Sequence, residues 1–314
     1  ITLALEPLTG RPVPFTAGQY LTHCFEIDGA VVKRAYSISA AEGAELACTI
    51  KAIECGVASG FVFDRLAEGY EYTVVGPSGD FVLPADTATP LAFLAAGSGI
   101  TPVIAMIDTA VHRNPDRLVN LIYASRRQSE IIFAERLAQL DRKYTGLTVT
   151  HVLSRPDPGW TGRTGRLADE QAAALLQTTP DAEIYLCGPD DLMATTAAAL
   201  VADGVAPNRV HQERFYASAR HTTPLPTRAQ PIEFRRSNLT VIQQPGETIL
   251  EAGLRHGVKL DFSCTVGGCG ACKVPVVSGA VTLDEPNCLS DAEKAGGCTL
   301  ACSAYALEPV VIDA

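Results

Sequence analysis

The sequence predicts a multidomain α/β + β chain: an antiparallel β-barrel, then a doubly wound parallel α/β domain, then a small cysteine-bearing module. Three observations carry this reading. Short apolar runs broken by glycine turns fill residues 1–88, and strand and helix patterns alternate over residues 89–216. Six of the ten cysteines crowd between Cys264 and Cys302. The 314 residues also suit two or three domains, at roughly 100–200 residues each.

The barrel expectation rests on candidate strands at 19–27, 31–38, 46–53 and 70–75, interrupted by one helical pattern at 59–66. Regularly spaced short strands with Gly76-Pro77-Ser78-Gly79 punctuation are what a small barrel needs. In the middle segment, apolar strands at 91–96, 118–124, 147–153, 183–187 and 210–215 alternate with helical patterns at 102–111, 131–140, 167–176 and 191–203. That alternation predicts a parallel sheet covered on both faces. Residues 217–230 are polar, Pro-bearing and aperiodic, the texture of a linker. The last 84 residues, 231–314, open with strands at 232–235 and 239–243 and a helical pattern at 249–256. The linker implies that this module docks loosely on the rest.

Composition narrows the function classes. Hydrophobic residues make up 47% and charged residues 19%, a globular balance. The net charge is −10 and no Lys/Arg run exceeds two residues, which argues against a nucleic-acid binder. Residues 87–107 carry no charge and are long enough to span a bilayer. Their interior Gly97-Ser98-Gly99-Ile100-Thr101-Pro102 reads instead as strand, turn and helix, so membrane insertion is not expected. The scattered Cys24, Cys48, Cys55 and Cys187 resemble small buried hydrophobes of a reduced, cytoplasmic protein.

The crowded cysteines have the spacing Cys264-x4-Cys269-x2-Cys272-x29-Cys302, which is the plant-type [2Fe–2S] spacing. Two irons need four thiolates, and a glycine-bearing loop (Gly267, Gly268, Gly270) can aim backbone N–H groups at the sulfurs. Cys288 and Cys298 compete for the fourth place, but Leu300-Ala301-Cys302 resembles the closing motif of the ferredoxin family, which favours Cys302. A zinc site is the alternative, although zinc usually takes two C-x2-C pairs and only one is present. Residues 231–314 resemble a plant-type ferredoxin domain, and that resemblance implies a β-grasp fold.

Arg34-Ala35-Tyr36-Ser37-Ile38-Ser39 resembles the R-x-Y-S motif of the ferredoxin-NADP reductase superfamily. In that reading Arg34 neutralises a flavin phosphate, Tyr36 lies on the isoalloxazine, and Ser37 hydrogen-bonds near the flavin N5, with Ile38 beside them. Gly56-Val57-Ala58-Ser59 stands where the family has G-x-x-S before a helix, and a helix N-terminus receives phosphate well. The motifs are closest to those of FAD-using relatives (phenylacetyl-CoA epoxidase and ketosteroid hydroxylase reductases). Phthalate dioxygenase reductase relatives use FMN, which stays open.

Gly97, Gly99, Thr101 and Pro102 resemble the family's G-x-G-I-T-P nicotinamide turn, and Cys187-Gly188-Pro189 its C-G-P motif. Both follow strands at their C-terminal ends, where open sheets bind ligands. Ser125 and Arg126 can hold a ribose 2′-phosphate, so NADH and NADPH both remain candidates. Glu213-Arg214-Phe215 resembles the family's residues that border the flavin, which implies that Phe215 covers the ring face. The catalytic set implied is Tyr36, Ser37, Cys187 and Phe215.

The resemblance implies hydride transfer from NAD(P)H to flavin, then single electrons through the [2Fe–2S] cluster to a terminal oxygenase of the Rieske non-haem iron or di-iron type. Alternatives are a component of a permanent flavoenzyme complex, a reductase of a hybrid-cluster protein, or a zinc-binding module without activity. The family carries an extra strand before residues 15–21, and little precedes them here. The N-terminus is therefore incomplete or the barrel is one strand short.

Overall fold

The structure is a computed structural model that describes residues 1–215, 225–285 and 287–314, apart from the side chain of Asp169. Residues 217–224 of the expected linker lie outside the described residues. Internal contacts divide the chain into two compact units. One holds Ile1–Tyr20, Tyr36–Tyr70 and Gly79–Phe215, and the other holds Leu21–Ala35, Glu71–Ser78 and Tyr216–Ala314.

The N-terminal segment forms β1 (Thr2–Ala4), β2 (Tyr20–Ile27), β3 (Ala30–Ser37), β4 (Ala47–Thr49), α1 (Val57–Asp64) and β5 (Thr73–Ser78). The strand order β3-β2-β5 makes one sheet, and β1 pairs antiparallel with β4. Strand β1 is the element that sequence patterning did not predict. Three residues are too few to show a period, and their pairing with β4 comes from far along the chain. The β2–β3 turn is Asp28-Gly29, with φ of 51° and 80°, the left-handed pair that a two-residue hairpin requires. Strand β4 stops at Thr49, short of the expected residue 53, because the Ile53 N–H leaves the ladder and donates to Ser59 Oγ at 3.2 Å.

The middle segment contributes β6 (Leu91–Ala96), α2 (Ile100–Arg113), β7 (Val119–Ser125), α3 (Ala134–Lys143), β8 (Leu147–Leu153), β9 (Arg163–Thr164), α4 (Asp169–Leu176), β10 (Glu183–Cys187), α5 (Asp190–Ala202) and β11 (Val210–Glu213). The sheet order is β11-β10-β6-β7-β8-β9, parallel throughout. Along β6, Leu91, Phe93 and Ala95 enter one apolar core, while Ala92 and Leu94 enter another on the opposite face. A strand buried on both faces is the signature of a doubly wound sheet. The uncharged stretch 87–107 is thus β6, a glycine turn and the start of α2. Among the described residues no helix is long and apolar enough to cross a membrane. Helix α3 starts three residues after the expected 131, because Phe133 at its N-cap is left-handed, with φ 61°.

The C-terminal segment forms β12 (Gln230–Phe234), β13 (Leu239–Gln243), α6 (Ile249–Arg255), β14 (Lys273–Ser278), β15 (Val281–Leu283), α7 (Asp291–Ala295), β16 (Cys298–Leu300), β17 (Ala304–Ala306) and β18 (Val310–Ile312). Its five-stranded sheet has the order β13-β12-β18-β14-β16, with β12 and β18 parallel and the other pairs antiparallel. Ile249, Leu250 and Ala252 of α6 share a core with Ile232, Phe234, Leu300 and Ile312. A mixed sheet with one helix packed on it is the β-grasp architecture. Within the second unit this module also touches the β2–β3 hairpin, through Thr22 to Cys264 and Lys33 to Glu251. The first of those contacts is buried, which is tighter than the loose docking the linker implies.

Candidate functional site

Strand β3 presents the R-x-Y-S motif. Arg34 and Tyr36 are half-buried, and Ser37 and Ile38 are buried. The Ile38 N–H donates to the Gln19 carbonyl at 2.8 Å, and Ile38 forms an antiparallel bridge with Cys48, so the end of the motif is fixed from both sides. Arg34 Nη1 donates to the Lys33 carbonyl at 2.6 Å.

Helix α1 begins at Gly56, an extended N-cap with no side-chain cap and no acidic residue in the first turn. Its first N–H groups therefore need an external acceptor, and a phosphate is a natural one. Ser59 Oγ is engaged in closing the preceding loop through Ile53. A Cβ on Gly56 would come within 2.5 Å of that oxygen, so only glycine fits there. Val57 is exposed beside it. The uncapped helix start with its glycine cradle fits a flavin phosphate.

The two nicotinamide motifs meet at the C-terminal edge of the parallel sheet. A methyl group at Gly99 would run into the Cys187 carbonyl, and one at Gly188 would lie 2.9 Å from the Ala96 Cβ. Tyr123 is a site residue that sequence reasoning missed. Its hydroxyl donates to the Gly97 carbonyl at 3.0 Å and accepts from the Ile132 N–H at 3.2 Å, which pins the turn. No local pattern marks a mid-strand tyrosine as a clamp, because both its partners are backbone groups of other segments. The Thr101 hydroxyl donates to the Ser98 carbonyl at 3.0 Å, starting α2 just before Pro102. Burial pushes the Cys187 thiol well up, with the carboxylate of Glu213 adding to the effect, so the side chain is uncharged at neutral pH. Pro189 caps α5. Phe215 follows β11 and is 44% exposed. Ser125 closes β7 half-buried, Arg126 is exposed, and the neighbouring Arg127 pairs with Asp157 at 3.1 Å.

The cysteine loop runs between α6 and β14, and Cys302 follows β16. The side chains of Cys264, Cys269, Cys272 and Cys302 act on one another electrostatically, Cys264 with Cys269 and Cys302, and Cys272 with Cys302. Among the described residues no three or more His, Cys, Asp or Glu side chains gather as a single-ion site. The interaction with Cys302 holds the Cys272 thiol down, whereas that with Cys264, and then burial, push Cys269 up. Backbone N–H groups already face sulfur. Gly268 donates to Cys264 Sγ at 3.2 Å, Val266 to the same atom at 3.5 Å, and Cys264 to Cys269 Sγ at 3.5 Å. Gly267 turns the loop with φ 73°. Of the rival thiols, Cys298 lies on β16, and Cys288 lies beside the loop with its N–H donating to the Gly267 carbonyl at 3.0 Å. Three thiols on a loop lined with N–H donors, with Cys302 supplied from beyond β16, fit the donor set of a [2Fe–2S] cluster.

Three family models match the chain in succession: Oxidoreductase FAD-binding domain over residues 7–83, Oxidoreductase NAD-binding domain over 93–198, and 2Fe-2S iron-sulfur cluster binding domain over 232–307. The chain is 30% identical to one of the proteins that make up 1,2-phenylacetyl-CoA epoxidase in Escherichia coli, covering 100% of this chain and 92% of that protein. The chain belongs to the ferredoxin-NADP reductase superfamily of oxygenase reductases. This reductase is also 29% identical to the stachydrine N-demethylase reductase Stc4 of Rhizobium meliloti, over 100% of its length and 92% of that protein. The ferredoxin reductase component of 3-ketosteroid-9-alpha-monooxygenase from Mycolicibacterium smegmatis is 31% identical, over 92% of this chain and 84% of that one. Among solved structures, phthalate dioxygenase reductase superposes with a TM-score of 0.72 at 25% identity, covering 100% of this chain and 92% of that chain. The reductase is an NAD(P)H-dependent oxidoreductase with FAD and [2Fe–2S] as cofactors, and its partner is an oxygenase component.

Proposed function

We propose that this reductase feeds electrons to a terminal oxygenase of the Rieske non-haem iron or di-iron type, with Cys264, Cys269, Cys272 and Cys302 as the ligands of the exit cluster. The observation that carries this is a loop bearing Cys264, Cys269 and Cys272 whose backbone N–H groups face sulfur, with Cys302 following β16. In this reading residues 1–88 bind flavin, 89–216 bind the nicotinamide coenzyme, 217–230 link, and 231–314 hold the cluster. The motif assigns Arg34 to a flavin phosphate; the start of α1 at Gly56 and Val57 offers its N–H groups to phosphate, and Ser59 keeps that cradle closed. Tyr36, Ser37 and Ile38 line the ring, and Phe215 shields it until coenzyme arrives.

Gly97, Gly99, Thr101 and Pro102 face the coenzyme across from Cys187, Gly188 and Pro189. Buried and uncharged, Cys187 serves there as a wall rather than a nucleophile. Ser125 and Arg126 border the adenosine ribose. When bound, the flavin and cluster turn a two-electron donor into a supply of single electrons. A cytoplasmic setting agrees with ten cysteines that form no disulfide.

Single Cys→Ser replacements with iron counting test the ligand set. Loss of iron in Cys302→Ser and its retention in Cys298→Ser are expected. The reverse result would assign the fourth ligand to Cys298. Acid extraction of the flavin is expected to release FAD, and FMN alone would overturn that assignment.

A further inference from the structure

Thr22, on β2, is fully buried, and its hydroxyl donates to the Cys264 carbonyl at 3.0 Å. Both residues belong to the second unit. The next residue, Thr265, is β-branched yet left-handed, with φ 55°. Its own hydroxyl is buried without a hydrogen-bond partner among the described residues. Such a conformation persists only where the surroundings over-determine it. Directly beyond it, the N–H groups of Val266 and Gly268 point at Cys264 Sγ. The orientation of the Cys264–Thr265 peptide therefore sets the direction of the N–H groups that follow, and Thr22 holds that peptide by its oxygen.

We propose that Thr22, a residue of the flavin-binding segment, is a positioning residue for the iron–sulfur loop: its hydroxyl locks the Cys264–Thr265 peptide and thereby keeps two N–H donors on the Cys264 sulfur. This rests on the assignment of Cys264 as a cluster ligand. Donors on a thiolate sulfur stabilise the more negative, reduced cluster and raise its potential. Without the hydroxyl, the Cys264 carbonyl is left buried and unpaired, and the loop relaxes to find another donor.

The test uses the full-length holoprotein with Thr22→Val, which keeps the shape and removes the donor, and Thr22→Ser, which restores the donor. Two quantities are read: the cluster midpoint potential and the rate of iron loss to a chelator. Thr22→Val is expected to speed iron loss about tenfold and, separately, to shift the one-electron reduction equilibrium about tenfold, which lowers the potential by ~59 mV. Thr22→Ser is expected to recover both. Lys33→Gln removes the exposed pair with Glu251 at 3.3 Å and is expected to change neither. Wild-type values in Thr22→Val would overturn the proposal. So would a Thr22→Ser variant as impaired as Thr22→Val, which would assign the effect to packing, or an equal loss in Lys33→Gln, which would assign it to docking in general. Retained iron in Cys264→Ser would instead overturn the ligand assignment beneath it, so the two failures are distinguishable.

Discussion

His23 illustrates what a single side chain contributes. It is fully buried on β2, its Nδ1 lies 2.9 Å from the Tyr72 hydroxyl, and its ring stacks on Tyr72 at 5.6 Å. Burial holds its pKa down to about 4. The unfolded chain binds that proton near pH 6.5, so between those values the unfolded state holds more protons than the native one. The contribution of neutral His23 is therefore complete above pH 6.5, falls as pH drops through the window, and is gone below pH 4. It amounts to about 3 kcal/mol at most. His23→Phe is expected to flatten the decline of Tm between pH 7 and pH 4, and an unchanged slope would show that another group is responsible.

Gly99 is a second residue-scale case. Alanine there meets the Cys187 carbonyl, and such overpacking costs on the order of 1–3 kcal/mol. Gly99→Ala is expected to raise the KM for NAD(P)H while flavin content stays at the wild-type level; parallel loss of flavin would place the turn's role in general stability. Gly99 was legible in the sequence because the turn requires that residue type at that spacing. His23 was not legible, because its burial and its tyrosine partner come from residues far along the chain.

At the scale of elements, sequence patterning is strongest where a period repeats. The alternating segment resolves into the parallel sheet with most boundaries shifted by one to three residues, since β6 and α2 carry their own apolar patterns. Patterning is weakest where elements are short. Strand β1 escapes it and β4 is overextended by it because three-residue strands take their identity from their partners. Helix α6 matches the expected 249–256 to within one residue, and a cap fixes its start. Thr248 Oγ1 accepts from the Glu251 N–H at 3.2 Å, and Glu251 accepts from the Thr248 N–H at 2.9 Å, a complete capping box. The helix also reaches the cluster site, since the Leu250 N–H donates to the Ala301 carbonyl at 2.8 Å, one residue before Cys302. Thr248→Ala is expected to cost about 1 kcal/mol of stability and to bleach the cluster at a lower temperature than wild type. If Tm falls while the bleaching temperature does not, the helix does not support the ligand segment.

For the whole molecule, the order of motifs along the chain predicts three successive cofactor segments, and the three family matches follow the same order. What the chain order does not reveal is that Leu21–Ala35 and Glu71–Ser78 of the flavin segment pack with the C-terminal module in one compact unit. Contacts between distant segments leave no local periodicity to read. Deleting residues 231–314 is expected to leave an NAD(P)H-oxidising flavoprotein that still reduces ferricyanide, but with a lower Tm, because Thr22 is uncovered and Lys33 loses Glu251. Loss of flavin on deletion would show that the C-terminal module is needed to build the flavin site.

In the proposed route, electrons entering from NAD(P)H reach a cluster for which Cys264, Cys269, Cys272 and Cys302 are the proposed ligands. Anaerobic mixing of the purified holoprotein with NAD(P)H, followed by freezing and EPR, tests it most directly. Bleaching of the flavin is expected together with a reduced [2Fe–2S] signal approaching about one electron per chain. A fully bleached flavin beside a cluster that stays EPR-silent with NAD(P)H, and responds only to an added low-potential reductant, would contradict it.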